Sequence, residues 1–244
     1  MFDRSELLRL SEQKSFNLED FPAVCQDDDR PRSEAFMRKK LQELLKAGEV
    51  VRVGRNAYCV PTSKLSCYQH EYSEYACHVA NIVRENYPTV AFTIFELVQL
   101  NEFINHQLAH NVLFLSVEDE IVEFVFDTMK ERFPGKVLLA PTLEIYHQYW
   151  YEDMIVVDKL ITEAPKSRTE PWHTRLEKML VDLLSSQILL ESISESEIPV
   201  VLEDAFSKYV VDESCLFRYA KRRGIEKRLR TLIREKTNIT LRTE

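Results

Sequence analysis

Arg32, Lys39, Gln42 and Lys46 are spaced so that, with Ala35, they share one side of a helix if residues 33–47 are helical. Long Arg, Lys and Gln side chains can reach base edges in a DNA major groove. Arg or Lys suits guanine O6 and N7, and Gln suits adenine N6 and N7. Arg38 and Lys40 flank that face, where they would meet phosphates instead. Arg52 and Arg55 follow on either side of an expected turn, placed for a backbone or a minor groove. A solvated helix face beside an ordinary hairpin would carry the same charges. The elements that would hold these residues therefore decide how much they mean.

Met37, Leu41, Leu44 and Leu45 form the apolar stripe of the 33–47 helix, opposite the polar face. Ser33 is its expected N-cap and also lies among the expected DNA contacts; Gly48 is its expected stop. Ahead of it, residues 2–12 (Leu7, Leu8, Leu10) and 17–25 (Leu18, Phe21, Val24) read as short helices. The acidic turn Asp27–Pro31 leads into the third. Behind it, Glu49–Val60 reads as two short strands, with Gly54 and Asn56 able to turn the chain and Pro61 ending the unit. Helix, helix, helix, hairpin is the order of a winged helix-turn-helix, expected over residues 1–62.

Residues 63–244 are expected to form a second domain, an α/β layer with a helical C-terminus, making the chain α+β. A helix over 69–87 carries Tyr68, Tyr72, Tyr75, Val79 and Ile82 on one stripe. Apolar runs at 90–98, 112–117, 137–140 and 154–161 then alternate with helical segments near 101–110, 119–132 and 142–150. Residues 164–174 read as a loop. Helices at 174–191, 195–208 and 212–236 finish the chain, the last broken at Gly224.

Other chemistry finds little support. Four scattered glycines exclude a Walker loop and a dinucleotide fingerprint, which need clustered Gly near phosphate. Glu102, His106 and His110 could share a helix face as metal ligands, but H-E-x-x-H is absent and satisfied histidines are the better reading. No D/E-x-K falls on the expected strands beyond the bare pair Asp158-Lys159, so a two-metal nuclease is not expected. No nucleophile elbow is present. Neither an enzyme activity, a cofactor nor a metal is expected. Lys178 and Asp182 read as a helix ion pair worth a few tenths of a kcal/mol.

The formal charge is −8, unevenly spread. Residues 1–60 are neutral, 61–210 carry −13 and 211–244 carry +5. A small DNA-reading module needs local positive charge only, so the acidic centre does not forbid one. Lys221, Arg222, Arg223, Lys227 and Arg228 form a dense basic run that could be a second phosphate-contacting surface, or could simply offset the acidic middle. The charged N-terminus, the lack of a long apolar run and five cysteines without a C-x-x-C pair lead to the expectation of a cytoplasmic protein without a membrane contact.

The segment Leu41-Gln-Glu-Leu-Leu-Lys-Ala-Gly-Glu-Val-Val-Arg-Val-Gly-Arg-Asn-Ala-Tyr58 resembles the N-terminal winged helix of AbiEi-type antitoxins, with Ala57 where a Gly commonly precedes the Tyr. Leu176-Glu-Lys-Met-Leu-Val-Asp182 and Leu216-Phe-Arg-Tyr-Ala-Lys-Arg-Arg-Gly224 resemble the later parts of such regulators. The resemblance implies a transcriptional regulator of a type IV toxin–antitoxin, abortive-infection (phage-defence) system in bacteria. It would bind inverted repeats in double-stranded DNA at its own promoter. It would also oppose a nucleotidyltransferase-like toxin without having to bind it. An alternative from another class is a protein-interaction module whose acidic centre binds a basic partner.

Overall fold

The computed structural model describes residues 4–13, 15–21, 33–61, 66–167 and 170–242. The expected turn at 27–31, residues 22–25 of the expected 17–25 helix, Arg32 and the side chain of Leu8 lie outside the described residues; in the described part of that helix only Asp20 and Phe21 are helical.

Near the N-terminus, α1 (Arg4–Ser11), α2 (Glu34–Ala47), β1 (Val51–Gly54) and β2 (Ala57–Cys59) enclose a small core of their own. Leu10, Phe16 and Phe21 meet Met37, Leu41, Leu44 and Val50 there, all nearly solvent-free. Residue 16 also extends the hairpin: the Phe16 and Tyr58 backbones exchange two hydrogen bonds of 2.8 Å.

The larger unit is built on a four-stranded sheet of order β3-β4-β6-β5, where β3 is Phe92–Glu96, β4 Val112–Val117, β5 Val137–Leu139 and β6 Met154–Lys159. β3 runs antiparallel to β4; β4, β6 and β5 are parallel. Side chains alternate across a strand, and here both faces are covered, so the central strands are apolar over Val112–Leu115 and Met154–Val157. Leu113, Leu115, Ile155 and Val157 face α3 (Glu74–Asn86) and α4 (Val122–Arg132). Val112, Met154 and Val156 face the opposite way. There they meet a helical layer comprising α6 (Leu176–Ser185), α7 (Gln187–Ser192), α8 (Ile198–Lys208), α9 (Glu213–Arg222) and α10 (Glu226–Lys236), with α5 (Leu143–Gln148) at its edge. The outer edge of β3 is occupied by the 172–174 segment. Ile94 N–H donates to the Trp172 carbonyl and the Thr174 hydroxyl donates to the Ile94 carbonyl, both at 2.8 Å.

Three expected helices differ. Residues 69–73 are not helical, and α3 starts only after Ser73, whose hydroxyl caps Ala76 N–H. Tyr68 and Tyr72 therefore lie outside its stripe. The expected 101–110 helix is replaced by a 3-10 turn over Leu97–Glu102 and a loop. Asn101 closes that loop by bonding both the N–H and the carbonyl of Leu108, the local competition by which Asn disfavours helix. The 174–191 helix breaks at Ser186, whose extended backbone and side-chain oxygen start α7 instead. The break at Gly224 is as expected, with φ +74 in the left-handed region. Among the described residues, no helix is long and apolar enough to cross a membrane.

Candidate nucleic-acid interface

α2 is bounded by its own side chains. The Ser33 hydroxyl accepts from Phe36 N–H at 3.3 Å, and Gly48, at φ +73, donates back to the Leu44 and Leu45 carbonyls. Met37, Leu41 and Leu44 anchor one face in the core. The opposite face presents Ala35, Lys39, Gln42 and Lys46 to solvent in one row.

The flanking cations are already engaged. Arg38 pairs with Glu34 at 2.6 Å and Lys40 with Glu43 at 3.0 Å. Glu43 is held below its ordinary carboxylate value, chiefly by its hydrogen bond to Lys40, with Lys39 and Lys46 adding to the effect. Exposed intrahelical pairs of this kind are worth about 0.3–0.5 kcal/mol. A charge-assisted bond to phosphate exceeds that, at about 1.5–3 kcal/mol. Arg38, exposed like its partner Glu34, can therefore be recruited away from it at little cost.

In the hairpin, Asn56 supplies the left-handed turn residue at φ +53, while Gly54 is a buried strand end. The Arg52 guanidinium folds back onto the Gly54 carbonyl at 2.8 Å. Arg55 keeps an exposed side chain, but its backbone N–H donates to Ser214 Oγ at 2.7 Å. One strand further, Arg242 donates to the sulfur of the buried Cys59 at 3.4 Å. The hairpin is thus fastened at two points, to α9 and to the segment that follows α10. Neither Ser214 nor Arg242 is signalled in the sequence; Asp212 announces the start of α9, but nothing there announces its partner.

The basic run on α9 and α10 divides. Arg222 donates to Thr162 at 2.6 Å, Arg223 to Ser185 at 2.9 Å, and Arg228 to the Leu184 carbonyl at 3.0 Å. Lys221 and Lys227 are exposed. Three of these five cations thus tie α9 and α10 to the rest of the fold.

Two polar clusters are buried rather than presented. Lys178 and Asp182 are not a surface pair. Their 2.6 Å contact is nearly closed off from solvent, and Asp182 also accepts from Tyr219 at 2.9 Å and faces Arg223 at 3.4 Å. Burial and the Asp182 charge push the Tyr219 hydroxyl well above its ordinary range. Glu96, on β3, is equally enclosed and accepts from Ser73 N–H, Ser73 Oγ and Asn111. Burial opposes its charge, yet the hydrogen bonds from His70, Ser73 and Asn111 together hold its carboxyl below the ordinary value.

Glu102, His106 and His110 do not gather. Glu102 ends the 3-10 turn and pairs with the Tyr209 hydroxyl, while His110 sits against Trp150 and Glu152 in the following loop. Among the described residues, no three His, Cys, Asp or Glu side chains are grouped to hold a metal ion. Asp158 and Lys159 end β6 with Lys159 paired to Asp119.

Compared with known proteins, residues 36–239 match the model of a family described as a family of unknown function, DUF6577. No curated protein matches the chain.

Proposed function

The chain belongs to that family, DUF6577, and we propose, from its own residues, that it is a sequence-specific DNA-binding transcriptional regulator. In this reading residues 1–62 act as a winged helix-turn-helix, α2 is the recognition helix and β1–β2 is the wing. The observation that carries it is the solvent-facing row Lys39, Gln42 and Lys46 on a helix capped at both ends and buried on its other side. Lys39 and Gln42, with Arg32, read bases. Arg38, Lys40 and Lys46 hold phosphates beside them, and Arg52 and Arg55 hold the wing to the backbone or the minor groove. The resemblance of Leu41–Tyr58 to AbiEi-type antitoxins supports extending the reading to an autorepressor that opposes a nucleotidyltransferase-like toxin, with residues 63–244 as the antitoxin part.

The test is fluorescence anisotropy with DNA from upstream of the protein's own gene, against scrambled DNA, at two salt concentrations. Selective, salt-sensitive binding supports the proposal. Equal binding to both sequences overturns it.

A second reading, an interaction module for a basic partner, draws on one observation. Ile145, Tyr149, Trp150 and Tyr151 are exposed together, with Glu144, Glu152 and Asp153 among them. Partner capture lost on changing these residues, but not on changing Lys39, would favour it.

A further inference from the structure

Between the C-terminal end of α3, the start of β3 and the loop after β6 lies a cavity of about 210 Å³. It is lined by no residue of α2 and is part of no function considered above. Tyr87, Phe92, Leu160 and Pro171 make its walls largely apolar. An apolar cavity of about 150 Å³ already accommodates benzene, so this one has room for a ring and a few further atoms. It is below the roughly 300–1,000 Å³ of pockets that take larger ligands.

The Thr93 hydroxyl and the Trp172 indole Nε1 are closed to solvent and lie behind the wall rather than on it. The Glu170 carboxylate at the rim is held below its ordinary value chiefly by Arg84, with a smaller contribution from Trp172.

Charge fixes the sign of the occupant. Arg84 is neutralised by Glu170 at 2.8 Å and lies over the Trp172 ring at 5.9 Å. Lys166, also on the cavity wall, is exposed and has no carboxylate partner among the described residues. Among the described residues, Lys166 is thus the cavity-lining cation without a carboxylate partner, beside a slot walled by Trp172 and Phe92. We propose that this cavity binds a small planar monoanion, an aromatic ring bearing one carboxylate. The ring lies against Trp172 and Phe92, and the carboxylate faces Lys166.

Benzoate is the probe. Trp150 and Trp172 are the protein's two tryptophans, so Trp150→Phe leaves Trp172 as the only indole. Adding benzoate to this full-length variant should change its emission saturably. Lys166→Glu, made in the same background at an exposed position, should weaken benzoate by about fivefold or more without altering the melting temperature. Benzamide, the neutral analogue, should bind more weakly than benzoate, and that gap should close in Lys166→Glu. Ala164→Phe should fill the space and abolish the saturable change; if it unfolds the protein, the Lys166 and benzamide comparisons decide alone. Emission without a saturable response up to the solubility limit of benzoate, or benzamide binding as tightly as benzoate, overturns the proposal.

Discussion

The backbone N–H of Arg55 donates to the hydroxyl of Ser214 at 2.7 Å, joining the tip of the hairpin to the first turn of α9 across 159 residues of chain. A hairpin held this way presents Arg55 at a fixed angle, and the same bond carries any movement of α9 to the hairpin. Ser214→Ala leaves an exposed N–H that water can satisfy, so the expected loss of stability is at most about 1 kcal/mol. Hydrogen exchange at the Arg55 amide should nevertheless accelerate severalfold. An unchanged exchange rate would show that the bond does not restrain the hairpin.

Ser33 sets where α2 begins. Ser33→Ala removes its N-cap and should lower unfolding stability by about 1 kcal/mol, whereas Ser33→Asp should retain it. Urea denaturation monitored by circular dichroism separates the two. Equal midpoints for both variants would mean that the cap contributes nothing.

On DNA, Lys39 and Arg52 should behave differently. Lys39→Ala is expected to cost about 1–3 kcal/mol on the cognate site and to relax base preference there. Arg52 already spends its Nε–H on Gly54, so Arg52→Ala should weaken binding to all sequences alike and reduce the salt slope. Anisotropy on cognate and scrambled duplexes measures both. An equal loss on the two DNAs for Lys39→Ala would remove it from the base-reading row.

Glu96 makes an acid-side prediction. Its folded-state carboxyl titrates below the ordinary 4.5, so its contribution to stability is complete above that pH. It is lost as pH falls from there through the lowered folded-state value. Glu96→Gln should therefore be less stable than the parent at pH 7 and show a flatter decline on the acid side. Thermal melts from pH 3 to pH 7 provide the check; parallel curves for the two proteins would contradict it.

Asp182 should matter more than an ordinary helical ion pair. Asp182→Ala leaves Lys178 buried without its carboxylate and deprives Tyr219 and Arg223 of theirs, an expected cost of about 3–5 kcal/mol. Lys178→Met should cost less, because Arg223 and Tyr219 still satisfy Asp182. Chemical denaturation of the two variants gives the order, and the reverse order would place the weight of the cluster on Lys178.

What the sequence determined by itself is local. The apolar stripe Met37, Leu41 and Leu44 and the two caps of α2 are readable because periodicity and capping act within a few residues. The same holds for the Gly224 break and for the apolar runs that became β3 to β6. Exposure of Lys39, Gln42 and Lys46 follows from that periodicity too. Asn101 and Ser186 also act locally, through bonds to Leu108 and Leu189, but the helix-like periodicity around them hides both breaks. Tertiary structure decided the rest. Lys178 and Asp182 read as a surface pair, since an i, i+4 spacing looks the same in water as in a core. Only the packing of α9 over α6 removes the water and makes Asp182 the centre of a buried network. The fastening of Arg55 to Ser214 and the enclosure of Thr93 beside Trp172 are likewise invisible in one dimension. They depend on segments distant in the chain meeting in space, and no spacing rule records such a meeting.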